Sequence, residues 1–145
     1  MIHDLAAQLL ELDEGRKRFA YGDTCTEAFT TIGIGRNVDH RGGRGLRDDE
    51  IDYMLNNDIS AAIFDLCDIF DNWQRINEPR QAVLISMWHA LDHVRFMGFQ
   101  KMIAAVRADD WERAADELVD SKFYRNSGDR GPRLEKIMRT GEIDI

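Results

Sequence analysis

Phe29-Thr30-Thr31-Ile32-Gly33-Ile34-Gly35 is a run of strand formers set between stretches whose apolar residues recur at helical spacing. β-Branched and aromatic side chains suit a pleated, half-buried surface. Gly22, Asp23 and Thr24 upstream read as a turn, so a hairpin is expected between Phe19 and Gly35. On its N-terminal side Ile2, Leu5, Leu9 and Leu12 mark one face of a short helix that Gly15 ends. On its C-terminal side Arg36 to Arg47 is rich in Gly and Arg and reads as loop with at most one short strand. Asp48 and Asp49 then cap a helix striped by Ile51, Leu55, Ile59, Ile63, Leu66 and Phe70. About twenty residues at 1.5 Å each give a rod of roughly 30 Å, long enough to join two lobes. From Pro79 onward the pattern is helical over Pro79 to about His93, Phe99 to Arg107, Asp110 to Ser121 and Gly131 to Arg139. The order is helix, hairpin, long helix, helical cluster, which is an α+β class with segregated parts.

The chain of 145 residues, 43% hydrophobic and 32% charged, has the composition of one folded domain. No apolar run reaches membrane-spanning length and the N-terminus has no basic start before an apolar stretch, so neither a signal peptide nor stable membrane association is expected. Cys25 and Cys67 are too few for a disulfide framework. A net charge of −8 argues against nucleic acid as a partner. The charge is uneven: seven basic residues stand against four acids from Glu14 to Arg47, and eight acids without a Lys or Arg follow from Asp48 to Asp71. Six basic residues then face two acids from Lys122 to Arg139, so an anionic ligand could bind locally despite the total.

Glu14 is the first candidate for chemistry. It ends a helix just before Gly15, where carbonyl dipoles favour the protonated carboxyl, and that suits a general acid. Asp23, returned by the turn, supplies a second carboxylate, and a protonated and an ionised carboxyl together are what glycosidic hydrolysis requires. His89 and His93 lie four apart within one helical pattern, yet no further ligand spacing accompanies them, and no metal or cofactor is expected. Cys25 reads as a bystander thiol. Trp73, Trp88 and Trp111 could stack on sugars, although Trp88 and Trp111 fall inside helical patterns and read as core.

Several segments resemble the phage-type lysozymes, the endolysins of glycoside hydrolase family 24. They are Leu12-Asp13-Glu14-Gly15, Tyr21-Gly22-Asp23-Thr24, Thr31-Ile32-Gly33-Ile34-Gly35, Leu55-Asn56-Asn57-Asp58-Ile59, Gly98-Phe99, Trp111-Glu112-Arg113-Ala114-Ala115, Ser121-Lys122-Phe123-Tyr124 and Arg139-Thr140-Gly141. The resemblance implies a lysozyme-like fold: a small β-hairpin lobe at about 15–48, a linking helix at about 49–71, and a larger helical lobe at about 72–145 joined by the N-terminal helix. It implies cleavage of the β-1,4 bond between N-acetylmuramic acid and N-acetylglucosamine in peptidoglycan, with Glu14, Asp23 and Thr31 catalytic and with Arg130 and Tyr21 binding substrate. The family spaces its residues as Glu, eight residues, Asp or Cys, five residues, Thr. Here seven residues separate Asp23 from Thr31, whereas five separate Cys25 from Thr31; Asp23 is preferred because only it carries a carboxylate. The segment from Arg36 to Leu46 is short, which implies a reduced β lobe, and His89-Ala90-Leu91-Asp92 replaces the family's Phe-Asn-x-Gly.

The expectation is therefore a monomeric muramidase acting on glycan strands during host lysis. It would be held in the host cytoplasm until another protein opens the membrane. A lytic transglycosylase acting on the same bond, and a non-catalytic acidic helical interaction protein, are the competing readings.

Overall fold

The structure, a computed structural model, describes residues 1–22 and 29–144. Asp23, Thr24 and Cys25 lie outside the described residues. The architecture is α+β, with eight α-helices and a three-stranded antiparallel sheet among the described residues. Two compact units are present, Met1–Tyr53 and Met54–Ile145.

The first unit opens with α1 (Ile2–Glu14), and Gly15 closes it at φ +72° with its N–H on the Glu11 carbonyl at 2.9 Å. Strands β1 (Lys17–Gly22), β2 (Thr30–Gly33) and β3 (Arg36–Asn37) follow in sequential order. The expected hairpin thus forms, and a third short strand comes from the Gly/Arg-rich segment. Tyr21 pairs with Thr31 and Thr31 with Asn37. Directly paired residues share a face of the sheet, so Tyr21, Thr31 and Asn37 make one row across it. Ile2, Leu5, Leu9 and Leu12 are all exposed. Among the described residues of this unit only Thr31 and Asp39 are buried, and both are polar.

Helix α2 (Asp48–Ile69) begins in the first unit and runs into the second, with Asp48, Asp49 and Glu50 in its first turn, where the helix dipole favours acids. Its apolar stripe is buried over only part of its length. Every residue from Ile51 to Asp58 is exposed, whereas Ala62, Leu66 and the following Phe70 are buried. Periodicity gave the helix correctly; burial depends on what packs against each turn, and only the later turns meet a core.

The second unit holds that core. A 3-10 turn (Trp73–Arg75) leads to α3 (Glu78–Ala90), α4 (His93–Met97), α5 (Gln100–Arg107), α6 (Trp111–Val119), α7 (Lys122–Asn126) and α8 (Arg130–Thr140). Leu66, Phe70, Trp73, Leu84, Met87, Phe96, Met102, Val106, Leu118 and Met138 form its buried centre. The continuous helix expected from Pro79 to about His93 is broken. Leu91 is extended, and Asp92 caps α4 by accepting from the Arg95 N–H at 2.8 Å. Helix α7 starts the same way, with Ser121 Oγ accepting from Tyr124 N–H at 3.0 Å.

Side chains finish the C-terminus of α8. Arg80 donates to the carbonyls of Met138 and Arg139, both at 2.9 Å, and Asn77 Nδ2 donates to the Gly141 carbonyl at 2.9 Å. The Arg80 guanidinium lies 4.5 Å from the centre of the Trp111 ring, which joins α3, α6 and α8 at one point. Arg80→Met keeps the stem but strips the last carbonyls of α8 of their donors and Trp111 of its cation. Denaturant unfolding should show a loss of about 1–3 kcal/mol, with amide exchange quickened first in residues 134–141; an unchanged midpoint would remove Arg80 from the account of this corner.

Candidate active site

Glu14 is the last residue of α1, and its side chain is exposed. The turn between β2 and β3 comes up against it. A Cβ at Gly35 would fall 2.8 Å from Glu14 Cδ and 3.0 Å from Oε2, so only a residue without a side chain lets the carboxyl rest there. Gly35 also has φ +68°, a region that side chains resist. The same β-strand pair carries Thr31, buried, with its hydroxyl donating to the Phe29 carbonyl at 3.1 Å. Sequence-distant Glu14 and the Thr31 hairpin are thus brought together within one unit, and Tyr21 stands beside Thr31 as its strand partner. Asp23 and Cys25, the alternatives for the second position, lie outside the described residues.

Sequence reasoning missed Asn37 and Asp39. Asp39 is buried, and its carboxylate accepts from the Thr30 N–H at 2.9 Å, the Arg41 N–H at 2.9 Å and Arg41 Nε at 2.8 Å. The Arg41 guanidinium beside it, followed by the two backbone donors, holds its carboxyl well below the usual carboxylate range. Asn37 Oδ1 accepts from the Asp39 N–H at 3.0 Å. The signal was present in the spacing Asn37-x-Asp39-x-Arg41, because Asn and Asp side chains commonly bond the backbone two residues on.

The basic surplus of this region is largely neutralised where it stands. Arg16 pairs with Glu11, Arg36 with Glu50, Arg41 with Asp39, and Arg47 with Asp49 and Glu50. Arg36 also donates to the Gly45 carbonyl at 2.9 Å, fastening the loop onto the start of α2 and lowering the Glu50 pKa. A count by segment overstates attraction for an anion, because the balancing acids sit just outside the stretch counted or inside its fold.

In the second unit a groove of about 1000 Å³ is lined by α5, α6, α7 and their neighbours. Phe99 and Phe123 meet edge to face in it at 6.4 Å, with Lys101 and Lys122 but also Glu117 and Asp120 on its walls. Arg130 lines it too, donating to the Ser86 carbonyl at 3.0 Å and hydroxyl at 2.8 Å, with its guanidinium 5.7 Å from the Phe123 ring centre. His89 and His93 do not share a helix face, since α3 ends between them; His93 instead packs edge-on against Trp88. Among the described residues no group of three or more His, Cys, Asp or Glu could hold a metal. Trp73 is buried in the core, and Trp88 and Trp111 pack against it, so none of the three is a free sugar platform.

Two glycines test the Glu14 contact. Gly33→Ala, at φ +69° with open space around it, should cost only the left-handed backbone, about 1–2 kcal/mol. Gly35→Ala should cost more, and the excess should vanish in a Glu14→Ala background when the four proteins are compared by denaturant unfolding. Equal costs at the two glycines would mean that Gly35 makes no room for Glu14.

No protein-family model matches the sequence. The chain is 27% identical, over 165 aligned positions, to the pre-baseplate central spike protein Gp5 of Enterobacteria phage T4. The alignment takes in 95% of this chain and 28% of that protein, so the chain spans little more than a quarter of its relative's length. The alignment has 20 more positions than the chain has residues, so gaps fall opposite this chain. These findings overturn the assignment to the phage-type lysozymes of family 24. The chain is similar to a phage spike protein.

Proposed function

We propose that the chain hydrolyses the β-1,4 bond between N-acetylmuramic acid and N-acetylglucosamine in peptidoglycan, in a phage setting. The observation that carries this reading is the Glu14 carboxyl, exposed at a helix end and seated on Gly35 in the turn that follows the Thr31 strand. Glu14 protonates the leaving oxygen as general acid. Ionised Asp23 stabilises positive charge developing at the anomeric carbon, and Thr31 orients the attacking water. Tyr21, in the row with Thr31, contacts the glycan. The groove of the second unit combines two aromatic rings with charges of both signs, which suits a sugar strand bearing charged peptides. The similarity to a phage spike protein supports the phage setting.

The test is release of soluble fragments from purified peptidoglycan, identified by mass spectrometry. The wild-type chain should yield reducing sugar ends, and Glu14→Gln should slow release about 100-fold or more at an unchanged melting temperature. Asp23→Ala should be far more damaging than Cys25→Ser. Anhydro ends, lighter by one water, would replace hydrolysis by transglycosylation, and no release at all would sink the reading. A Glu14→Gln rate within about threefold of wild type would remove Glu14 from the mechanism.

A further inference from the structure

The first unit buries a carboxylate, Asp39, that the cleavage scheme does not use. Asp39, with its side chain 6% exposed, has both oxygens occupied: Oδ2 by the Thr30 N–H at 2.9 Å and by an Arg41 guanidinium nitrogen at 3.1 Å, Oδ1 by Arg41 Nε and the Arg41 N–H. Thr30 is held from the other side as well, since its carbonyl accepts from the Val38 N–H at 2.9 Å. The Arg41 guanidinium lies 5.0 Å from the centre of the Phe29 ring, and the Phe29 carbonyl is the acceptor for the Thr31 hydroxyl. The residues on the N-terminal side of Thr31 are therefore gripped by one ion pair, Thr30 through its backbone and Phe29 through its ring.

That grip has a chemical consequence. With its single proton committed to the Phe29 carbonyl, the Thr31 hydroxyl offers only lone pairs to anything else. It can accept from a water, and so aim that water's oxygen lone pair away from itself, but it cannot donate to it. We propose that Asp39 and Arg41 are a positioning pair for the cleavage reaction, fixing the Thr31 hydroxyl as an acceptor toward the attacking water. This rests on the glycan-cleaving function proposed above. His40 stands beside the pair, with Nδ1 3.6 Å from Asp39 Oδ1, but is exposed and makes no contact with Thr31 among the interactions of the described residues.

A double-mutant cycle tests it, with kcat and KM measured on a soluble peptidoglycan tetrasaccharide. Asp39→Asn should lower kcat about tenfold or more with KM held within about twofold, because misplacement at the reacting centre is felt in the transition state. Thr31→Val should lower kcat similarly, and adding Asp39→Asn to it should cost little further. Arg41→Lys, which keeps the charge without the planar fork, should restore part of the rate lost in Arg41→Gln. A wild-type kcat in folded Asp39→Asn, or the same loss repeated in the Thr31→Val background, overturns the pair's role. If Asp39→Asn does not fold, Arg41→Lys and Arg41→Gln carry the cycle. Failure of the function itself reads differently: the wild-type chain then leaves the tetrasaccharide intact, and the pair is judged by amide exchange at Thr31. Exchange quickened by Asp39→Asn supports the grip on Thr31, and unchanged exchange overturns it.

Discussion

The hydrogen bonds from Thr30 and Arg41 to the buried Asp39 carboxylate are what the candidate site is built on. Small units ordinarily cohere by burying apolar surface. The described part of Met1–Tyr53 buries no hydrophobic side chain, only Thr31 and Asp39. A buried carboxylate without partners would be costly, and one that is fully bonded fixes the positions of all its donors. Asp39 has such a set, drawn from β2 and from the loop after β3. The second clasp, Arg36 to Glu50 at 2.7 Å, then fastens that loop to the start of α2.

The second unit works by the opposite physics. Its centre is apolar from Ala62 to Met138, and polar groups enter to complete helix ends or tie turns. Arg80 and Asn77 serve the end of α8, Arg107 donates to the Ile69 carbonyl that ends α2, and Asn72 donates to the Val106 carbonyl at 2.8 Å. Arg139 pairs with Glu135, Glu112 and Asp116, fastening α8 to α6. A close-packed apolar core tolerates little shift, whereas a polar frame is fixed by direction. A groove between packed helices and the Thr31 hydroxyl on a hydrogen-bonded hairpin are thus held by different means.

Legibility in the sequence followed the range of the interactions. Elements set by local rules were readable: α1 and its Gly15 end, the hairpin through Thr31, and α2 with its acidic first turn. The break at Leu91-Asp92 and the short α7 are not legible, because the helical pattern carries on past the break to about His93, and the five residues of α7 are too few to show a period. Their signals were single capping residues, Asp92 and Ser121. The sequence points to Glu14 and Thr31 but not to the contact through Gly35, which depends on how the β2–β3 turn meets a helix end. Asp39 was counted as one acid among four, and its role appears only once Thr30 and Arg41 are placed around it. Short motifs such as Thr31-Ile32-Gly33-Ile34-Gly35 pointed to a family, and the whole-chain comparison led instead to a phage spike protein.

The same frame bears on how an acid can operate beside it. A general acid must hold a proton, and carboxyls of ordinary range gain theirs near pH 4. A frame whose own carboxylate titrated there would lose its donors in the same range. Asp39 is shifted the other way, held well below that range by Arg41 and the two backbone N–H groups. A depressed folded-state pKa contributes stability that is fully present above the unfolded value and is lost progressively as pH falls from that value to the folded one. Between those limits the Asp39 carboxylate stays ionised in the folded hairpin and keeps its donors, while its contribution to stability declines. The bonds that hold this carboxylate in a buried place also keep it ionised through the ordinary carboxyl range.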